Sequence, residues 1–287
     1  MTKRAFVAGH PIAHSRSPLI HGHWLDAHGI AGSYERVDVT PDAFPGFLRA
    51  LGRNGYVGGN VTIPHKEAAF RLVDAPTDRA QRLRAVNTVW LENGVLHGDN
   101  TDVTGFAESL DAALGRGWET GRALVLGAGG AARAVVAGLL DRGIPRVVVA
   151  ARDLDKAAPL LAFAPARVTT MLLTDVPRAL ARTDLLVNAT SLGMTGKDPL
   201  DLDLSPLPAH AAVADIVYAP LETPLLRDAR ARGLAAVDGL GMLLHQAAPG
   251  FERWFGVRPR VGPELRALVE ADLEPARAAP TPESREA

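Results

Sequence analysis

Apolar positions along this chain alternate between two rhythms. A short run at residues 5–8 ends at Gly9 and predicts a buried strand. "SPLIHGHWLDAHGI" then sets Leu19, Ile20, Trp24 and Leu25 at helical spacing, with Ser17 as N-cap and Pro18 in the first turn. "SYERVDV" alternates like a strand, "DAFPGFLRALG" reads as helix and "YVGGNVTI" as strand. Pro64 is expected to open another helix, continued by "HKEAAFRLV", since its missing N–H is harmless in a first turn. "AVNTVWLENGVLHGDNTD" holds two apolar runs joined by Glu92-Asn93-Gly94, an Asn-Gly hairpin signal. This first section is α/β with a mixed sheet.

From Thr104 a helical pattern leads to Gly121, and "RALVLGAGGAARAVVAGLLDRGIPRVVVAARD" then reads strand, turn, helix, strand. "ARVTTML", a helix over 176–182, "DLLVNAT", "AAVADIVY", a helix over 223–232 and "LAAVDG" continue the alternation, which implies a parallel sheet covered by helices on both faces. After Gly241, "MLLHQAAPGFERWFG" and "PELRALVEADL" are helical, and the Pro-, Ala- and charge-rich tail 274–287 is expected to be disordered. No repeat of fixed period is present.

Composition narrows the function. The 287 residues are 47% apolar, enough for two domains with full cores. The 31 basic and 32 acidic side chains are mixed, with neither the basic stripe of a nucleic-acid binder nor a polybasic membrane cluster. The absence of cysteine excludes disulfides, thiolate metal sites and a cysteine nucleophile, and suits a reducing cytoplasm. The N-terminus reaches Gly9, His10 and Pro11 before any long apolar region, unlike a signal peptide. The most apolar stretch, 123–140, is broken by Arg133 and several glycines, unlike a membrane span. His10, His14, His21 and His23 crowd the N-terminal region, but His21 and His23 are two apart on a helix and point to different sides, so no metal site is expected. His65 is expected at the surface of a helix start.

Two stretches carry chemistry. "VLGAGGAARAV" satisfies G-x-G-x-x-A with Gly127, Gly129 and Ala132, directly after a Val/Leu strand and opening a helix. In that context small residues let a backbone turn approach a dinucleotide pyrophosphate at a helix N-terminus, the signature of a Rossmann-type doubly wound domain. Arg152 and Asp153 follow the next strand: an acid there suits the ribose of NAD, an arginine the 2′-phosphate of NADP, and both are present. The second stretch is "NVTIPHK". It puts Lys66 in the first turn of a helix, where the dipole disfavours a cation by roughly 0.3–1 kcal/mol.

Taken together, "GHPIAHSRSP", "NVTIPHK", "AVNT", "GDNTD", "VLGAGGAARA", "NATSLGM", "DIVYAP" with "TPLL", and "DGLGMLLHQ", in this order, resemble the shikimate dehydrogenase family over residues 4–272. The resemblance implies that Ser15 and Ser17 hold a substrate carboxylate with Tyr218 nearby, and that Asn60, Thr62, Asn87 and Gln246 bond ring hydroxyls. It implies that Lys66 pairs with Asp102 and that both address the hydroxyl being oxidised. Helix-end placement and burial against a neighbouring carboxylate would leave such a lysine able to exchange a proton.

On the cofactor side the resemblance implies that Gly127, Ala128, Gly129, Gly130 and Ala131 contact pyrophosphate and Arg152 the adenosine end, with Thr190 and Gly193 lining the nicotinamide side. Asp78, Ile216, Gly239 and Met242 match positions near the nicotinamide or the cleft between domains. Two departures stand out: His21-Gly22 replaces the usual His-Asn, and Ala151-Arg152-Asp153 replaces Asn-Arg-Thr. Arg152 favours NADP, and Asp153 leaves NAD as the alternative. The implied organisation is a substrate domain of 1–103 completed by helices at 239–273, with a cofactor domain of 104–238. The implied enzyme reduces 3-dehydroshikimate to shikimate reversibly, as a cytoplasmic monomer or homodimer. Rival readings are a quinate or dual-specificity dehydrogenase, an enzyme for an amino-shikimate analogue, and a catalytically silent NADP sensor.

Overall fold

The computed structural model describes residues 2–273, so the tail 274–287 lies outside the described residues. The first sheet has strands β1 (Lys3–Gly9), β2 (Gly32–Asp38), β3 (Tyr56–Val61), β4 (Ala75–Pro76), β5 (Thr88–Glu92) and β6 (Val95–Asp99), in the order β2-β1-β3-β5-β6-β4. β2, β1 and β3 are parallel, whereas β5 runs antiparallel to both β3 and β6, so the sheet is mixed. The β5–β6 turn places Asn93 and Gly94 at φ 52° and 81°, the positive values a two-residue hairpin requires.

Helices α1 (Ser17–Ala27), α2 (Phe44–Arg49), α3 (Lys66–Leu72) and α4 (Asp78–Leu83) interleave with these strands, and α5 (Asp102–Leu114) leads out of them. A second sheet follows: β7 (Arg122–Leu126), α6 (Gly130–Asp141), β8 (Arg146–Ala151), α7 (Leu154–Leu161), β9 (Val168–Leu172), α8 (Val176–Ala179), β10 (Leu185–Asn188), β11 (Ala212–Asp215), α9 (Pro224–Ala231) and β12 (Ala235–Val237). Its strands are all parallel, in the order β12-β11-β10-β7-β8-β9. Chain order reverses between β7 and β10, and such a switch point opens a ligand crevice at the carboxyl ends of the strands.

Helix α10 (Gly239–Phe255) and helix α11 (Pro263–Leu273) return to the first sheet. Leu244, Phe251 and Trp254 pack there with Ile20 and Trp24 of α1, while Phe44, Leu48 and Ala69 cover the opposite face. α10 also crosses α5 closely: a Cβ on Gly105 would stand 2.5 Å from the Cβ of Gln246 and 2.8 Å from the Met242 carbonyl. Only glycine permits that approach.

Several boundaries differ from the sequence expectation. Ser17 is the first residue of α1 and Arg16 its N-cap, with no side-chain cap bond, so the Ser17 hydroxyl is left for other partners. Pro64 does not open α3; it lies in the preceding turn, and the helix begins at Lys66. His65 is buried rather than exposed: its Nε2 lies 2.6 Å from the Val39 carbonyl oxygen and its ring stacks on Phe44 at 4.2 Å, which draws the chain inward before α3 starts. The pattern after Thr104 stops early, because Gly115 at φ 73° ends α5. α10 starts at Gly239, upstream of the expected Met242, because the Asp238 carboxylate accepts from the Leu240 N–H at 3.1 Å and caps it.

Candidate active site

Lys66 and Asp102 are the first residues of α3 and α5, so two helix N-termini converge. The dipole favours the carboxylate and disfavours the ammonium. The structure resolves this by joining them: Lys66 Nζ donates to Asp102 Oδ2 at 2.6 Å, with the side chains 29% and 13% exposed. The other carboxylate oxygen, Oδ1, accepts from Asn87 Nδ2 at 2.8 Å. Asn87 Oδ1 in turn accepts from the Thr101 N–H at 2.8 Å and from the Thr88 hydroxyl at 2.9 Å. The Asn87 amide that aims Asp102 is thus itself held by buried neighbours.

Around this pair lies a cavity of about 560 Å³. Ser15, Ser17, Asn60, Thr62, Lys66, Asn87, Asp102, Tyr218 and Gln246 all line it, as do Ile216, Gly239 and Met242. Residues drawn from six separate segments therefore meet in one place, as the resemblance requires. Ser15 Oγ donates to Ser17 Oγ at 3.3 Å, and the Arg36 guanidinium fixes the Ser15 carbonyl at 2.7 Å. Arg16, between the serines, is tied to Asp272 of α11 at 2.5 Å. Burial raises the Tyr218 phenol above its ordinary pKa, the nearby Arg16 charge partly opposing this. Sequence reasoning missed the apolar wall made by Ile12, Ile63, Met194 and Leu243. Ile63 is 74% exposed, and only its position on the cleft gives such an exposed side chain meaning.

A second cavity, of about 720 Å³, sits at the switch point. Gly127, Ala128, Gly129, Arg152 and Thr190 line it, with Asp153, Lys156 and Ser191. Gly127 has φ 106° and comes so near the next loop that a Cβ would meet the Ala189 carbonyl oxygen at 3.0 Å. Gly130 and Ala131 form the first turn of α6; Gly129 is its N-cap, offers no side-chain cap, and a Cβ on Gly129 or Gly130 would meet nothing within 4 Å. Bare N–H groups facing open space suit a pyrophosphate. Asp153 is engaged elsewhere: its Oδ1 caps α7 by accepting from the Asp155 N–H at 3.0 Å. Lys156, in the first turn of α7, lines the same cavity as Arg152 and adds a cation that sequence reasoning overlooked. Gly193 (φ 85°) belongs to the turn beyond Thr190, and exposed Asp78 opens α4; neither lines these two cavities.

Asp215 joins the halves of this region. Its Oδ1 accepts from Asn188 Nδ2 and the Val217 N–H, both at 3.0 Å, and its Oδ2 from Thr223 Oγ1 at 2.8 Å. Burial nevertheless keeps its carboxyl above the ordinary range. Among the described residues, no group of three or more His, Asp or Glu is placed to hold a metal ion, and no helix is long and apolar enough to cross a membrane.

Known proteins match this arrangement. Family models described as "Shikimate dehydrogenase substrate binding domain", "Shikimate / quinate 5-dehydrogenase" and "Shikimate 5'-dehydrogenase C-terminal domain" match residues 7–89, 110–195 and 239–268. A Methylobacterium radiotolerans protein named shikimate dehydrogenase (NADP(+)) is 64% identical over 276 residues, covering 95% of this chain and 98% of the relative. The chain belongs to the shikimate dehydrogenase family. A relative of the same name from Methylocella silvestris is 58% identical over 95% of this chain and 98% of its own. The fold is also that of solved family structures. The Thermus thermophilus shikimate 5-dehydrogenase in complex with NADP(H) and shikimate superposes with TM-score 0.83 at 39% identity, over 96% of this chain and 100% of that one. A Corynebacterium glutamicum quinate dehydrogenase in complex with NAD gives 0.86 at 30%, over 95% and 99%.

Proposed function

We propose that this chain catalyses the reversible NADPH-dependent reduction of 3-dehydroshikimate to shikimate, a step toward chorismate and the aromatic amino acids. The observation that carries the reading is the Lys66–Asp102 pair at 2.6 Å in a cavity whose other polar lining includes two serines, Arg16 and neutral hydrogen-bonding side chains, against an apolar wall. Such a set suits a polyol carboxylate, because each buried donor or acceptor left without a partner would cost about 1–3 kcal/mol.

In this reading Ser15 and Ser17 donate to the carboxylate with Tyr218 beside them, and Asn60, Thr62, Asn87 and Gln246 bond the ring hydroxyls. When bound, the reduced nicotinamide supplies the hydride that the ketone carbon gains. Lys66 Nζ gives the carbonyl oxygen its proton and takes it back in the oxidative direction. Asp102 keeps the ammonium aimed, and Asn87 keeps Asp102 aimed. Gly127, Ala128, Gly129, Gly130 and Ala131 would hold the pyrophosphate and Arg152 with Lys156 the 2′-phosphate. Thr190 and Gly193 on one side, and Ile216, Gly239 and Met242 on the other, would border the nicotinamide. Because Asp153 caps α7, its charge is partly satisfied by a helix N-terminus, which supports NADP over NAD.

The same reading divides the chain into a substrate domain of 1–103 completed by 239–273 and a cofactor domain of 104–238, in a cytoplasmic enzyme. Initial rates with shikimate or quinate, each paired with NADP⁺ or NAD⁺, test it. Turnover with shikimate and NADP⁺ is expected. Turnover with quinate or with NAD⁺ at comparable kcat/KM would move the substrate or cofactor assignment, and no turnover with cofactor bound would favour a sensor.

A further inference from the structure

Tyr34 stands outside the residues assigned above, yet its phenol touches the substrate site from behind. It lies on β2 and is 9% exposed. Its hydroxyl donates to Asn60 Oδ1 at 2.6 Å. Asn60, 5% exposed, sends Nδ2 to the Asn87 carbonyl oxygen at 3.1 Å and to Thr88 Oγ1 at 3.2 Å. A backbone carbonyl only accepts, so Nδ2 must face Asn87 and Oδ1 must face Tyr34. Thr88 passes the connection to Asn87, and Asn87 to Asp102. A continuous hydrogen-bonded chain thus runs from Tyr34, through Asn60, Thr88 and Asn87, to the carboxylate that holds Lys66.

We infer that Tyr34 is a positioning residue: its hydroxyl holds the Asn60 amide in the orientation that leaves the second lone pair of Oδ1 to accept from a substrate hydroxyl. The inference rests on the proposal that Asn60 binds substrate. The surroundings suit a permanent donor. His21 stacks on the Tyr34 ring at 4.0 Å, with Trp254 at 5.8 Å. Burial depresses the His21 pKa to about 3, so no cation lies against the phenol, and burial raises the phenol well above its ordinary value. The phenolic proton therefore stays in place.

Tyr34→Phe keeps the ring and its stacking while removing the donor. It should raise KM for shikimate about tenfold, the worth of one buried hydrogen bond, with kcat and KM for NADP⁺ within about twofold. Because Tyr34 acts through Asn60, Tyr34→Phe should add little to Asn60→Ala. Fully additive effects, or an unchanged KM in Tyr34→Phe alongside a raised KM in Asn60→Ala, would overturn the inference. An unchanged KM in Asn60→Ala would instead strike at the underlying substrate assignment. Should Tyr34→Phe not fold, proton NMR of the intact protein supplies the test. The Tyr34 hydroxyl proton and the Asn60 side-chain amide signals should shift together on adding shikimate, and signals that stay fixed would refute the positioning role.

Discussion

A lysine at the first position of a helix sits where the local field opposes it, and Lys66 is held there by Asp102 at 2.6 Å. Replacing Lys66 with Ala removes the proton carrier of the proposed mechanism and leaves the half-buried carboxylate without its cation. kcat should fall by about 10²–10⁴-fold while NADP⁺ still binds, which steady-state rates and cofactor titration would show. Retention of near-native turnover would remove Lys66 from the mechanism. At the other cavity, Arg152→Gln combined with Lys156→Gln should raise KM for NADP⁺ by about tenfold or more, because each charge-assisted bond to a phosphate contributes about 1.5–3 kcal/mol. KM for NAD⁺, which lacks that phosphate, should change little. An equal loss for both cofactors would place these cations elsewhere.

At the scale of elements, α4 is held to the end of β6 by Asp99, three residues before Asp102. Arg79 reaches Asp99 Oδ2 at 2.5 Å, Thr77 donates to Oδ1 at 2.7 Å, and the Asn100 N–H does so at 2.7 Å. Burial alone would raise the Asp99 carboxyl, but the Arg79 bonds and charge, with Thr77 and Asn100, outweigh it and hold it below 3.8. The folded state therefore binds the proton less readily than the unfolded state. This contribution is complete above the unfolded value and is lost as pH falls through the folded one. Arg79→Gln should cost about 1–2 kcal/mol near pH 7, discounted for a partly exposed arginine. Its Tm deficit against the parent protein should shrink at about pH 3, and a deficit that grows on acidification would contradict the sign. The α5–α10 crossing gives a second test. Gly105→Ala puts a methyl into Gln246 and should destabilise by about 1–3 kcal/mol while raising KM for shikimate.

For the whole molecule, the return of α10 and α11 is decisive. Trp254 is 1% exposed and donates through Nε1 to the Val89 carbonyl of the first sheet at 2.9 Å; Phe251, Leu244 and Val269 fill the same core. Arg266 of α11 clamps the Asp238 cap at 2.6 Å, so the turn out of β12 is fastened to the same helices. A chain ending at residue 238 would leave α1 alone to cover one face of the first sheet. It should show no cooperative thermal transition for the N-terminal region by calorimetry, and a normal melt would mean that this sheet needs neither helix.

What was legible from residue order was local. The Gly127-x-Gly129 turn, the Asn93-Gly94 hairpin and the two apolar periods each report the conformation or burial of a few neighbouring residues, and all reappear in the structure. Identity of the site residues came from motif resemblance; the substrate-side ones meet in one cavity, Gly127, Ala128, Gly129, Arg152 and Thr190 line a second, and Asp78 and Gly193 line neither. What local order left undecided were the partners of polar groups. Whether Ser17 caps a helix and whether Asp153 repels a phosphate turn on the exact helix boundary, whereas whether His65 is surface or core, and that Tyr34 meets Asn60, depend on segments distant in the chain. A hydrophobic pattern says which face is buried but not against what. Hydrogen bonds are short-ranged and directional, so only the packed arrangement of both sheets and the returning helices chooses among the partners each side chain could accept.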